Sequence, residues 1–538
     1  MGRVEWKTQS ISCVLSCFVA GAGCSGAEDR TSEHAGRAGA AGGAGVGASG
    51  RAGNAGTTAQ GGTSSAGSAG SGGAAGVLAG AGGMNSGGAN RGGANNGGAT
   101  GGTTGGSAPN AGSGGSGAAA GSVQAGTGGA AGSSAAAGSG GSTGGSAGDT
   151  TLVGVETPGA NCTVPPLPAF DALAENPKLP DPFKKLDGTR VSSRAEWVCR
   201  HREISALVQH YETGPKQVEA ATVTGSLNGN TLKVDVSGGA ADVSFNVTID
   251  APSGAGPFPA LIGLKSALGG GAGSLDNNRI KQLGVAIITY DHNGLQPEGN
   301  RNSGLFNRFH GAPSGALIAW AWGASRIIDA LEKTPTAKID PARLGITGCS
   351  RDGKAALMIG AMDSRFALTI PQESGSGGVA AWRVSEVDNM GRTGSDGVQN
   401  LSRTYSEQQW FGTAIEPFGA AVTKLPLDHH ELVAMVAPRG LLILGNLDYV
   451  WLSTNNADQA GGAARLVYEA LGAKTNIGYV DSGHGHCGTD YGGREQAAID
   501  AYVKRFLVGD TSVNTDFWDP RYELDKAKWV DWEAPNLE

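Results

Sequence analysis

Aromatic side chains are missing from residues 35–148, and the only charges in that block are Arg37, Arg51 and Arg91. Nearly everything else there is Gly, Ala, Ser, Thr or Asn. Such a composition cannot bury enough apolar surface to offset the entropy of ordering the chain, which excludes a packed domain and predicts a flexible tether. Proline is almost absent too, and the glycine spacing is irregular, so a collagen-type triple helix is excluded. The chain has 94 glycines in 538 residues, far above the roughly 7% of ordinary proteins, and the excess is concentrated in this block.

Two further absences narrow the function. No run of eighteen apolar residues occurs in residues 151–538, which excludes a conventional membrane-spanning helix there. No basic cluster stands out and the formal net charge is −8, which argues against a nucleic-acid partner. At the N-terminus, Arg3 and Lys7 precede a modest apolar stretch from Ile11 to Ala22, followed by small residues and Cys24. This is the outline of a bacterial export signal, too short to span a bilayer, although Glu5 fits it less well. Cys24 is a candidate lipid-anchor residue with Gly21 where Leu is expected; Cys17, after Leu15-Ser16, is its rival, and plain cleavage and release is the alternative. The expected organisation is an export signal over 1–24, a Gly/Ala/Ser-rich linker over 25–150 and a catalytic domain over 151–538, secreted or anchored at an outer membrane or cell surface. Residues 151–538 hold Cys162, Cys199, Cys349 and Cys487. An even number in an exported domain predicts two disulfides, and the residues alone leave all three pairings open.

Thr231–Val236 and Val243–Ile249 alternate apolar and polar residues around Gly238-Gly239, the pattern of an antiparallel hairpin. After Pro257 the rhythm changes to short, wholly apolar runs at 260–264, 285–290, 344–346, 367–370 and 441–444, as expected of parallel strands covered on both faces. Helical periodicity occupies 316–331, 463–471 and 495–506. The alternation predicts an α/β fold: a doubly wound, mostly parallel sheet with antiparallel N-terminal strands, its chemistry at the carboxyl ends of the strands.

Gly348-Cys349-Ser350-Arg351-Asp352-Gly353 lies between the strand ending at Thr347 and a helix running from Lys354 to Met362. A serine on a sharp strand-to-helix turn is the nucleophile elbow of the α/β-hydrolase fold. The crowded turn needs a small residue at 348, and it aims the Arg351 N–H at an incoming carbonyl oxygen, half of an oxyanion hole. The other donor is expected from residues 266–269, after the 260–264 strand. The segment departs from G-x-S-x-G, with Asp352 at the second glycine position and Gly353 after it.

Gly348-Cys349-Ser350-Arg351-Asp352-Gly353-Lys354 resembles the G-C-S-R-x-G-K signature of the glucuronoyl esterases, carbohydrate esterase family fifteen. Pro371-Gln372-Glu373-Ser374-Gly375 with Trp382-Arg383, Asp428-His429-His430 and His484-Gly485-His486-Cys487 are similar to family segments too, so the resemblance runs from Cys162 to Leu507. It implies that Ser350 attacks the C6 carbonyl of a (4-O-methyl-)glucuronic acid ester of glucuronoxylan, expelling a lignin alcohol or methanol, with no cofactor. It carries the base onto His486, with His484 as rival, and the oxyanion role onto Arg351. The acid falls on Glu373 by the family pattern and on Asp448 by the usual hydrolase position. Lys354, Gln399, Glu407 and Trp451 match sugar-contacting positions. The pairings implied are Cys349–Cys487 and Cys162–Cys199.

A metal site at Asp428-His429-His430 or His484-Gly485-His486 is disfavoured, because neither has closed ligand spacing and the triad already uses one histidine. The competing readings are an acetyl or feruloyl xylan esterase with the same triad, and a non-catalytic surface protein that binds polysaccharide. The expected partners are glucuronoxylan and lignin–carbohydrate esters, with the enzyme acting as a monomer.

Overall fold

The computed structural model describes residues 154–538, apart from 217–221, 266–271, 393–396, 453, 490 and 538. The chain divides into two units, 1–129 and 130–538, and every described residue belongs to the second. The expected signal, the linker, the Cys24 anchor and the 266–269 oxyanion donor all lie outside the described residues.

Among the described residues ten strands form one sheet in the order β1-β2-β3-β5-β4-β6-β7-β8-β9-β10. The first three, β1 (Thr222–Asn228), β2 (Thr231–Ser237) and β3 (Val243–Asp250), are antiparallel, and β3 pairs antiparallel with β5 (Ala286–Tyr290). From β5 onward all neighbours are parallel: β4 (Phe258–Leu264), β6 (Ile339–Cys349), β7 (Phe366–Gln372), β8 (Gly440–Asn446), β9 (Ile477–Ser482) and the two-residue β10 (Trp518–Asp519). This is the expected mostly parallel sheet with an antiparallel start. The hairpin of β2 and β3 falls where alternation placed it, whereas β1 had no sequence signal. Its Thr-Val-Thr-Gly-Ser-Leu-Asn segment buries only Val223, as an edge strand with one wet face allows.

Alternation along the central strands divides their side chains between two cores. Ala260, Ile262 and Leu264 of β4 face a large cluster under α1 (Arg194–Val208), α2 (Ala316–Glu332), α3 (Arg351–Met362) and α4 (Thr454–Ala470). Leu261, Leu368, Ile370, Leu442 and Leu444 face a smaller one, closed by α5 (Gly493–Tyr502) and the turn that continues it. The helix periodicity at 463–471 reports only the second half of α4. Its first half carries Asn456, Asp458, Gln459, Gly461 and Gly462 on buried positions, which no apolar pattern reveals.

The strand order reverses at β4, with β5 on one side and β6 on the other. The crevice at such a switch point lies beyond the carboxyl ends of the strands, where Ser350 follows β6. Two disulfides clamp the domain, Cys162–Cys199 and Cys349–Cys487, with Cα separations of 5.3 and 5.6 Å. The first secures the segment entering the domain to α1. Closing its loop of 37 residues in sequence separation is worth about 3–4 kcal/mol in chain-entropy terms. Replacing Cys162 and Cys199 together by serine should therefore lower the melting temperature by several degrees while the folded state at 25 °C persists, as thermal denaturation followed by circular dichroism would check.

Candidate active site

Ser350 is held at φ 61° and ψ −122°, a conformation that costs a non-glycine residue about 1–3 kcal/mol. The surroundings impose it. Its N–H donates to Gln372 O at 2.9 Å, and its carbonyl accepts the Lys354 N–H at 3.0 Å, opening α3. Glycine is required on both sides of the bend. A Cβ on Gly348 would lie 2.4 Å from Asp352 O, and one on Gly353 would lie 2.3 Å from Gln372 O. Gly353 thus serves the close-packing need one place later than the G-x-S-x-G pattern. Asp352 instead turns to His292 Nε2, at 3.0 Å, with both side chains buried. The helix starts at Arg351, not at Lys354 as the apolar pattern suggested.

The candidate base and acid follow the ends of β9 and β7. His486 Nδ1 lies 2.6 Å from Glu373 Oε2. Glu373 is 3% exposed and also accepts the Cys487 N–H on Oε1 at 2.9 Å and Asn446 Nδ2 on Oε2 at 3.0 Å. Three donors satisfy a carboxylate that would otherwise be costly to bury. Asp448 is placed differently. Its carboxylate lies over Gly483, where a Cβ would come within 2.8 Å of either oxygen, and its backbone N–H donates to Asn446 Oδ1. Of the two carboxylates, Glu373 is the one hydrogen-bonded to the imidazole.

His484 sits deeper, its ring nitrogens 3.7 Å from Glu373 Oε1 and 3.7 Å from Glu495 Oε1. The Cys349–Cys487 bond joins the residue before Ser350 to the residue after His486. One ligand atom each from Cys349, Glu373, His486 and Cys487 falls within 4.8 Å of the others, but both sulfurs are used in the disulfide and offer no thiolate to a metal. His429 and His430 are fully buried and bond to the carbonyls of Gly378 and Pro180, which gives them a structural place.

The sugar-contacting candidates form one connected floor. Lys354, 2% exposed, donates to Ser374 O at 2.6 Å, Ser376 O at 2.8 Å and Gln399 Oε1 at 2.9 Å. Gln399 Nε2 passes the chain on to Glu407 Oε2 at 2.6 Å, and the Gln399 N–H donates to Trp451 O at 3.0 Å. Trp451 is 36% exposed, with the Arg403 guanidinium 5.4 Å from its ring. Arg351 carries its guanidinium to Glu298.

Several participants were given no role by the sequence. Asn446 and Tyr449 are examples: the Tyr449 ring lies 4.8 Å from that of His486, and its hydroxyl accepts the His486 N–H at 3.1 Å. Asn446 ends β8 and Tyr449 lies in the short connection to α4, beside the Asp448 and Trp451 that the hydrolase position and the family resemblance mark.

Residues 234–472 match the family model for fungal glucuronyl esterases. A 4-O-methyl-glucuronoyl methylesterase of Schizophyllum commune is 39% identical over 384 residues, spanning 69% of this chain and 94% of that relative. The chain belongs to the glucuronoyl esterase family. Among solved structures, the glucuronoyl esterase catalytic domain from Hypocrea jecorina is 37% identical with a TM-score of 0.63, over 69% of this chain and all (100%) of that one. A mutant glucuronoyl esterase of Sporotrichum thermophile, solved in complex with methyl 4-O-methyl-β-D-glucopyranuronate, is 35% identical with a TM-score of 0.63, over 70% and 100%. The family's α/β-hydrolase architecture is the fold described above.

Two predictions follow from this geometry. Glu373→Ala should reduce turnover by about a hundredfold or more, while Asp448→Ala stays near the parent, measured as kcat on a glucuronate ester. The second concerns Lys354, whose ammonium burial pushes down from the ordinary 10.5 to about 7, with Glu407 opposing the shift and Arg351 adding to it. The unfolded chain then binds the extra proton between those two values, so this group's contribution to stability rises with pH from about 7 to 10.5 and its full penalty applies below 7. Relative to Lys354→Met, the parent protein should gain stability as pH is raised from neutral across that window, as denaturant melts at each pH would read.

Proposed function

We propose that this chain hydrolyses the ester between (4-O-methyl-)D-glucuronic acid of glucuronoxylan and a lignin alcohol, or methanol in the methyl ester, by acyl transfer through Ser350. The observation that carries the reading is the 2.6 Å contact of His486 Nδ1 with Glu373 on the loop that the Cys349–Cys487 bond ties to the Ser350 turn. Family membership supports it, since the relatives of known name are 4-O-methyl-glucuronoyl methylesterases.

In this mechanism Glu373 holds the imidazole with Nδ1 protonated, leaving Nε2 to take the Ser350 proton as Oγ attacks the C6 carbonyl. The tetrahedral oxyanion is met by the Arg351 N–H and guanidinium, with a further donor assigned to residues 266–269. Collapse expels the alcohol, which leaves with the proton from His486. Water activated by the same imidazole then releases glucuronate and restores Ser350. Lys354, Gln399 and Glu407 supply polar contacts to the sugar hydroxyls and Trp451 a ring face, the groups a pyranose needs.

The reading extends to residues 1–24 as an export signal, 25–150 as a tether, and a monomeric enzyme that is secreted or held at the cell surface, through a lipid on Cys24 in the anchored form. A bacterial type of signal rests on Arg3, Lys7 and the Ile11–Ala22 stretch alone, as the curated relatives named here are fungal. Among the described residues no helix is long and apolar enough to cross a membrane.

The test is kinetics on benzyl and methyl glucuronates beside acetylated and feruloylated xylan. The expected result is turnover of the glucuronates, abolished in Ser350→Ala. Preference for acetyl or feruloyl esters would reassign the substrate, and activity surviving in Ser350→Ala would overturn the mechanism.

A further inference from the structure

Arg351 can serve an oxyanion only if its guanidinium is in position before the charge develops, and a long side chain does not hold one position unaided. Its anchor is Glu298, on the loop after β5. Arg351 Nη1 lies 2.5 Å from Glu298 Oε1, and Trp410 Nε1 donates to the other carboxylate oxygen at 2.8 Å. The ring of Trp410, 1% exposed, is faced by Arg351 at 6.0 Å and by Lys354 at 5.4 Å. Arg351, Glu298 and Trp410 therefore close a triangle whose third side is a cation–ring contact, and the same ring reaches the lysine of the sugar floor.

Glu298 is itself tied in place. Its carbonyl accepts the Gln409 N–H at 2.8 Å, joining its loop to the segment that carries Trp410. The neighbouring Arg301 strengthens the join, its backbone N–H donating to Gln409 Oε1 at 2.7 Å. With side-chain exposures of 35% for Arg351 and 18% for Glu298, the ion pair contributes little to folding. Its consequence is geometric: one carboxylate spends both oxygens on orienting a single cation against a buried ring.

We propose that Glu298 is a positioning residue for the ester hydrolysis, holding the Arg351 guanidinium toward the developing oxyanion through the shared hydrogen bonds with Trp410. The proposal rests on the oxyanion role assigned to Arg351 above. It concerns transition-state charge and not the sugar, so it separates kcat from KM.

The experiment is steady-state kinetics of the full chain on benzyl glucuronate. Glu298→Gln replaces one acceptor oxygen by a donor, so it can keep either the Arg351 bond or the Trp410 bond but not both. The expected result is a fall in kcat of about tenfold or more with KM within about threefold. Glu298→Asp should recover part of the loss, and Trp410→Phe, which keeps a ring and removes the N–H, should show a smaller loss of the same kind. In an Arg351→Ala background, Glu298→Gln should have no further effect. Unchanged or increased kcat in Glu298→Gln, or an equal fall in the Arg351→Ala background, would overturn the proposal while leaving the hydrolytic reading intact. If Arg351→Ala alone is silent, the oxyanion assignment falls together with it; if Ser350→Ala is silent, the failure lies with the hydrolytic reading itself.

Discussion

A carboxylate buried at 3% exposure has to be paid for by donors, and Glu373 draws three of them from two segments far from it in the chain. His486 and Cys487 reach it from the loop after β9, and Asn446 from the end of β8. Removing any one would leave a buried charge short of a partner, a cost of order 1–3 kcal/mol or more. The same bond that helps satisfy Glu373 orients the imidazole, because an Nδ1–H donated to the carboxylate leaves Nε2 without the proton. Stability and tautomer are set by one interaction.

Around that carboxylate the backbone is strained where the site requires it. Ser350, Glu373 and Cys487 all have positive φ, at 61°, 46° and 54°, and they account for three of the five non-glycine residues of that kind among those described. Each is restrained by a neighbour: Ser350 by Gln372 O, Glu373 by Leu444 O through its own N–H, and Cys487 by its bond to Cys349. The disulfide closes a separation of 138 residues, a constraint worth about 4–5 kcal/mol on the unfolded chain. It ties the Ser350 turn directly to the loop that carries His486, so strain at one cannot relax by displacement of the other.

The cationic side of the site follows a different logic. Arg351 is partly exposed and fixed by a carboxylate, whereas Lys354 is buried and fixed by two carbonyls and an amide oxygen. The two cations share the face region of Trp410, a buried ring whose indole N–H is claimed by Glu298. A connected polar layer is thereby built without leaving the lysine dependent on water, and the cost of its burial appears as a lowered affinity for its proton.

How much of this was legible depends on the range of the interaction. Strand periods, the 348–353 turn and the family signatures are local patterns, so the mostly parallel sheet and the residues Ser350, Glu373, His486 and Lys354 could be named from the chain alone. Alternation also found β2 and β3, but it could not find β1, whose edge position lets polar residues fill it. The family pattern pointed to Glu373 and the usual hydrolase position to Asp448, so strand-end spacing alone left both carboxylates in play. Nothing gave Glu298, Trp410, Asn446 or Tyr449 a role, since they are ordinary residues until the fold brings them to the site. The amino-acid sequence by itself determined the fold class, the elbow and the short set of groups able to do chemistry, because those depend on neighbours within a few residues. Only the tertiary structure decided which carboxylate meets the imidazole and what holds the arginine, because hydrogen bonds between segments 53 or 113 residues apart are set by packing and not by spacing along the chain.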